Sequence, residues 1–127
     1  MKRLGVYYRE TVLSLPEDER ELRNLPQCNG AIRIEKELFD WKLYAGKKFI
    51  TCRSEAEARY LLVFLDAGMT QVYVPKDEQY LEKILPELER LKARTDEVVN
   101  SYLQSIVNRK LKERVRFEVY QEIMNYE

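Results

Sequence analysis

From Asp77 to Glu127 the sequence contains no glycine, and its only proline is Pro86. Through this stretch Tyr80, Leu81, Ile84, Leu85, Leu88, Leu91, Thr95, Val98, Val99, Tyr102 and Ile106 recur at about 3.6 residues per turn. The spacing predicts one apolar helical stripe of about seven turns, roughly 40 Å at about 1.5 Å per residue. A strand of ordinary length spans only about 17–20 Å. A stripe this long outruns any sheet in a small domain and needs a second cover. The phase does not reset at Pro86, which falls on the opposite side. Either one helix kinks there, or a second helix starts with Pro86 at its first position.

Read as heptads, Leu81, Leu88, Thr95 and Tyr102 take position a, and Ile84, Leu91 and Val98 take d. Glu87 and Lys92 have the g-to-e′ spacing of a parallel pair, while Ser105 and Arg109 break the pattern. A short coiled coil and packing on the chain's own sheet remain alternatives. After Asn108 the apolar face moves. Leu111, Val115, Val119 and Ile123 step by four on a face turned by about half a circle, at about 100° per residue. A break near Asn108 is expected, then a last helix to about Met124. That helix can return and cover the stripe, or a second copy can do so.

Before Asp77 the signals are shorter. Val6, Tyr8 and Val12 alternate with Tyr7, Arg9, Thr11 and Leu13, which predicts a strand over 4–13. Ser14 with Glu17 three residues on, and acids in the first turn, predicts a helix to about Asn24, ended by Pro26 and the Asn29-Gly30 turn pair. Residues 31–52 read mostly as strand, with Ala45-Gly46 as a hairpin turn, although Ile34, Leu38 and Trp41 are also helically spaced. Ser54-x-x-Glu57 is a capping box, and Gly68 stands at the C′ position, so 54–67 is a helix. It is apolar round most of its circumference and is expected to be buried on more than one side. Gln71–Val74 is a short strand, and 47–74 reads as a βαβ-like unit.

The expected fold is α+β. A small, mostly antiparallel sheet from 4–13, 31–52 and 71–74 packs on one helix and is followed by a long C-terminal helical layer or arm. Residues 1–76 form a small α/β core, and 77–127 form a helical extension.

Composition excludes several chemistries. There is no histidine, which removes the commonest general base and every His-containing nucleophile pair or metal site. Two cysteines, Cys28 and Cys52, are too few for a structural zinc in one chain. Both are expected to be ordinary thiols of a reducing compartment. No glycine-rich loop follows a strand. No catalytic residue, metal ligand or cofactor site is assigned. The acid-x-Lys element Asp40-Trp41-Lys42 sits on an expected strand, as in metal-dependent nucleases, but Glu35 and Glu37 lie too close along the chain to complete it, and Glu10 only by chance of folding. The start Met1–Glu10 lacks an apolar run of signal-peptide length, and no window approaches the ~18 uncharged apolar residues of a membrane span. The chain is therefore expected to be cytoplasmic.

Lys and Arg total 22 and balance 22 Asp and Glu. Charge is nevertheless uneven. Arg109, Lys110, Lys112, Arg114 and Arg116 face only Glu113 within 109–116, and Lys47 and Lys48 join Lys42 and Arg53 around the hairpin. Such cations grip phosphates, or else they border the buried Leu111–Val115 line with their stems. Nine tyrosines are too many for all to be buried with satisfied hydroxyls in so small a core, so some should reach the surface or a partner.

The run Glu57-Ala58-Arg59-Tyr60-Leu61-Leu62 through Leu65, followed by long helices, resembles the C-terminal target-recognition parts of adenine-specific DNA methylases of restriction systems. The likeness covers a minority of the chain, and the methylase's Asn/Asp-Pro-Pro-Tyr/Phe box is absent. It implies a DNA-specificity or accessory piece and not the enzyme; no family is assigned on it.

The functional expectation is a non-catalytic interaction or assembly module. It would form a homodimer through Leu81, Leu88, Leu91, Val98, Tyr102 and Ile106, with Leu88 and Tyr102 central. The alternative is DNA or RNA binding through Arg109, Lys110, Lys112, Arg114, Arg116, Lys47 and Lys48. A metal-dependent nuclease is a second alternative.

Overall fold

The computed structural model describes residues 3–27 and 30–125. Cys28, Asn29 and Tyr126, expected as an ordinary thiol, part of a turn and one of the nine tyrosines, lie outside the described residues. The fold is α+β, with two small antiparallel sheets and long C-terminal helices.

The N-terminal segment is helical where a strand was expected. Helix α1 spans Leu4–Tyr8 and runs into a π-helical turn, Arg9–Leu13. Leu4, Tyr8 and Val12, four residues apart, are the side chains that bury. The helical period therefore prevails over the alternation of β-formers, because tertiary packing overrides local preference. That packing is tight at Gly5, where a Cβ would stand 2.5 Å from the Met124 carbonyl oxygen. The widened turn finds outside partners, as its Thr11 carbonyl accepts from the Tyr80 hydroxyl at 2.6 Å.

Ser14 does not cap a helix. Its hydroxyl donates back to the Glu10 carbonyl at 2.6 Å. The acids after it form a single 3-10 turn, Glu17–Glu19, and Arg20–Asn24 is strand β1. The cause is non-local: β1 pairs antiparallel with β5, Gln71–Pro75, from Arg20 opposite Pro75 to Asn24 opposite Gln71.

Strands β2 (Ile32–Lys36), β3 (Trp41–Ala45) and β4 (Lys48–Cys52) form a separate antiparallel meander. The single expected sheet is thus two. Because β4 and β5 belong to different sheets, the βαβ-like unit is not a crossover. The β3–β4 turn is Gly46–Lys47, one residue later than expected. Positive φ occurs at Gly46 (64°) and not at Lys47, the pattern of a type II′ turn.

Helix α2, Glu55–Asp66, follows its sequence signals. The Ser54 hydroxyl accepts from the Glu57 N–H at 3.1 Å. At the other end Gly68, at φ 87°, donates to the Leu65 carbonyl and Met69 to that of Phe64, which is a Schellman closure. The helix is buried nearly all round, between β2–β3 and helix α3. Helix α3, Glu78–Leu103, runs unbroken through Pro86. Helix α4, Arg109–Met124, starts on the cap of Asn108 and returns along α1 and α3.

Tyrosine hydroxyls close the free edge of β5. The Tyr73 N–H donates to the Tyr8 hydroxyl at 2.9 Å, and the Tyr73 carbonyl accepts from the Tyr60 hydroxyl at 2.6 Å. Two buried phenols thereby block pairing with another strand at that residue. The Tyr7 hydroxyl likewise donates to the Ile84 carbonyl. The expected tyrosine surplus at the surface narrows to Tyr102, the one exposed tyrosine among the described residues.

Candidate interaction surface

The apolar face of α3 is covered as far as Thr95 and open beyond it. Leu91 is 2% exposed, whereas Val98 is 62% and Tyr102 64% exposed. All three point nearly the same way, since at about 100° per residue Val98 and Tyr102 lie within about 20° of Leu91. Past Thr95, burial swings to Val99 and Leu103. These share the direction of Lys92, whose ammonium touches the Tyr120 hydroxyl of α4 at 3.4 Å. Helix α4 therefore covers one flank of the α3 end and leaves the other bare. Ile106 is half-buried, Val107 is 96% exposed, and Leu111 is also exposed.

This divides the six residues expected between copies. Leu81, Leu88 and Leu91 are buried in the chain's own core, so Leu88 does not sit at the centre of any contact between copies. Val98, Tyr102 and Ile106 remain accessible. The sequence shows the stripe but not where its cover stops, because cover depends on where α2 ends and α4 returns.

The cations of α4 do not form one row. At about 100° per residue Arg109, Lys112 and Arg116 fall on one side and Lys110 and Arg114 on the other. Arg116 turns inward, 3.5 Å from the Asp66 carboxylate and over the Tyr120 ring. Arg109 and Arg114 are exposed and reach Glu113 at 3.7 Å and Glu118 at 3.4 Å. Lys110 is exposed and Lys112 half-buried. Lys47 and Lys48 lie at the end of the meander, which packs on α2, whereas α4 packs on α1 and α3.

Two buried ion clusters escaped the sequence reading. Lys92, enclosed, holds Asp66 at 2.6 Å and Asp96 at 2.7 Å, so α2, α3 and α4 meet on one ammonium. Glu57, 1% exposed, accepts from Arg23 at 2.9 Å and from the Arg53 N–H at 3.2 Å, with the Arg53 guanidinium also 3.2 Å away. The Arg23 guanidinium also donates to the Thr51 carbonyl, and that of Arg53 to the Pro75 carbonyl. Glu57 thus joins both sheets to α2. The i, i+4 spacing of Lys92 and Asp96 was legible, but the long-range partners were not.

Beside Glu57, burial and then the Glu57 charge push the Cys52 thiol up to about 11. It is unpaired and buried. Because the folded pKa lies above the ordinary value of 9.0, the stability this thiol contributes is full below pH 9 and is lost as pH rises through about 11. In a Cys28→Ser background at neutral pH, maleimide should label Cys52 only as fast as the fold opens, and faster as urea is added. Complete labelling in native buffer at a free-thiol rate would contradict this burial.

Lys42 of the acid-x-Lys element pairs with Glu37 at 2.8 Å, and Glu10 lies on the helical N-terminal segment. Among the described residues no three Asp, Glu or Cys side chains gather to hold a metal ion. A shallow groove of about 820 Å³ opens between Met69 and Phe117, floored by Leu65 and Met124 and lined by no charged side chain. Among the described residues no helix is long and apolar enough to cross a membrane. No protein-family model, curated protein or solved structure matches this chain.

Proposed function

We propose that this chain is a non-catalytic assembly module that forms a homodimer through the end of the α3–α4 hairpin. One observation carries the reading: a helix face that is covered at Leu91 continues, in the same direction, uncovered at Val98 and Tyr102. Exposed side chains of this size at adjacent helix positions cost solvation and are typical of contact surfaces. The rim mixes Glu97 and Glu113 with Arg109 and Lys110, which suits a self-complementary contact better than a polyanion. A cytoplasmic setting belongs to the same reading, and the free, buried Cys52 fits a reducing compartment.

Light scattering at tens of micromolar should give about twice 15.3 kDa. Tyr102→Glu should return the monomer mass with an unchanged circular dichroism spectrum, because two carboxylates would meet across a two-fold axis. A monomer mass for the unmodified chain at that concentration would overturn the proposal.

A second reading, DNA or RNA binding, is favoured by the open positions of Arg109, Lys110 and Arg114 on one helix. It expects anisotropy changes with duplex or single-stranded probes at low salt, weakening steeply as salt rises and lost when these three are replaced by Gln. Absence of a signal at micromolar protein removes this reading.

A further inference from the structure

We infer that the dimer is domain-swapped: the connection between α3 and α4 straightens, and α4 of each copy docks on α1 and α3 of the other. This rests on the homodimer reading above and specifies how the copies are built into one another. The first ground is the connection itself, Gln104-Ser105-Ile106-Val107-Asn108, which contains neither glycine nor proline. At Gln104 the backbone is still helical, with φ −59° and ψ −31°. No left-handed residue ends α3; among the described residues only Gly46 and Gly68 have positive φ. Helix α2 shows the contrast, since Gly68 closes it with a Schellman pair. Helix α3 thus ends without a glycine, on the Ile106 N–H donating to the Leu103 carbonyl and the Ser105 hydroxyl to that of Tyr102. The next helix starts on a single side-chain cap, Asn108 accepting from the Leu111 N–H at 3.2 Å with ψ 119°.

The second ground is what the bent connection leaves in water. Val98, Tyr102 and Val107 are exposed at or beside the hinge. In a continuous helix these residues, with Ile106, occupy the middle of a long rod. At about 100° per residue Tyr102 and Ile106 lie within about 40° of each other on that rod and are buried where two rods cross at a two-fold axis, whereas Val98 and Val107 fall on opposite sides. The third ground is that α4 loses nothing by the exchange. The Lys92–Tyr120 contact, the Arg116–Asp66 pair and the close approach of Gly5 to Met124 are remade identically with the other copy. The hinge contact is then a net gain, set against the entropy of association. A dimer without exchange keeps the hinge bent.

Two variants separate the cases. Asp66→Cys and Arg116→Cys are made in separate copies on a Cys28→Ser, Cys52→Ala background, then unfolded and refolded together. A short bismaleimide should link unlike copies into a covalent dimer, since residues 66 and 116 face each other between chains. Val107→Pro removes a hydrogen bond from a continuous helix through the hinge and kinks it, and should raise the dimer dissociation constant at least tenfold with the fold unchanged. A dimer that yields no link between unlike copies, or one whose dissociation constant Val107→Pro leaves unchanged, overturns the exchange and leaves the homodimer reading standing. A monomer mass for the unmodified chain overturns both.

Discussion

Glu57→Ala is expected to lower the unfolding free energy by about 3 kcal/mol, seen as a lower urea midpoint with an unchanged slope. The carboxylate is enclosed and is the shared partner of Arg23 and Arg53. Its removal leaves two guanidiniums near each other and the Arg53 N–H without its acceptor. Breaking a buried pair from one side costs about 3–5 kcal/mol. The low end applies here, because both arginines are partly exposed and keep the Thr51 and Pro75 carbonyls. Glu57→Gln keeps the shape and should fall between the two. The effect extends beyond α2, since this residue is where both sheets and the helix meet. A loss below about 1 kcal/mol would show that the cluster is dispensable and that the two sheets are held by apolar packing alone.

Leu88→Glu should unfold the chain, with loss of the near-ultraviolet aromatic signal and of cooperative melting. Leu88 is 1% exposed and lies in the core. A carboxylate there has no partner, and burying it unpaired falls in the class of changes that exceed about 4–5 kcal/mol. Total stabilities of small domains are about 5–15 kcal/mol. Tyr102→Glu, two heptads further along and exposed, should shift the stability of the monomeric fold by no more than about 0.5 kcal/mol. The two residues share heptad position a, so sequence reasoning gives them the same fate. Opposite outcomes are what the structure requires. If Leu88→Glu stays folded and merely changes the association state, Leu88 belongs to a contact between chains and the core described above is wrong.

Where signals were local, the sequence sufficed. The Ser54 cap, the Gly68 closure and the apolar circumference of 54–67 lie within one helix, and each acts there as its chemistry dictates. The stripe of α3 and the break before Asn108 were legible for the same reason, as was most of the meander. The interaction surface was legible only in part. Val98, Tyr102 and Ile106 stood among six candidates, and nothing in their spacing set them apart from Leu81, Leu88 and Leu91.

The failures share a cause. Residues 4–13 carry both an alternating pattern and a four-residue pattern, and the choice fell to distant partners: Met124 against Gly5, and Tyr80 on the Thr11 carbonyl. Residues 14–24 carry helix-start chemistry, yet pairing with Gln71–Pro75 drew Arg20–Asn24 into a strand. Glu57 read as a capping-box residue and Lys92 as a heptad flank, and neither reading showed the partners that enclose it. By itself the sequence determined helices α2, α3 and α4 and the α+β class, because caps, glycines and apolar periods act over a few residues. Only the tertiary structure decided which face is covered, which sheet a strand joins and which charges are buried, because those depend on residues brought together from far along the chain, whose desolvation outweighs any local preference.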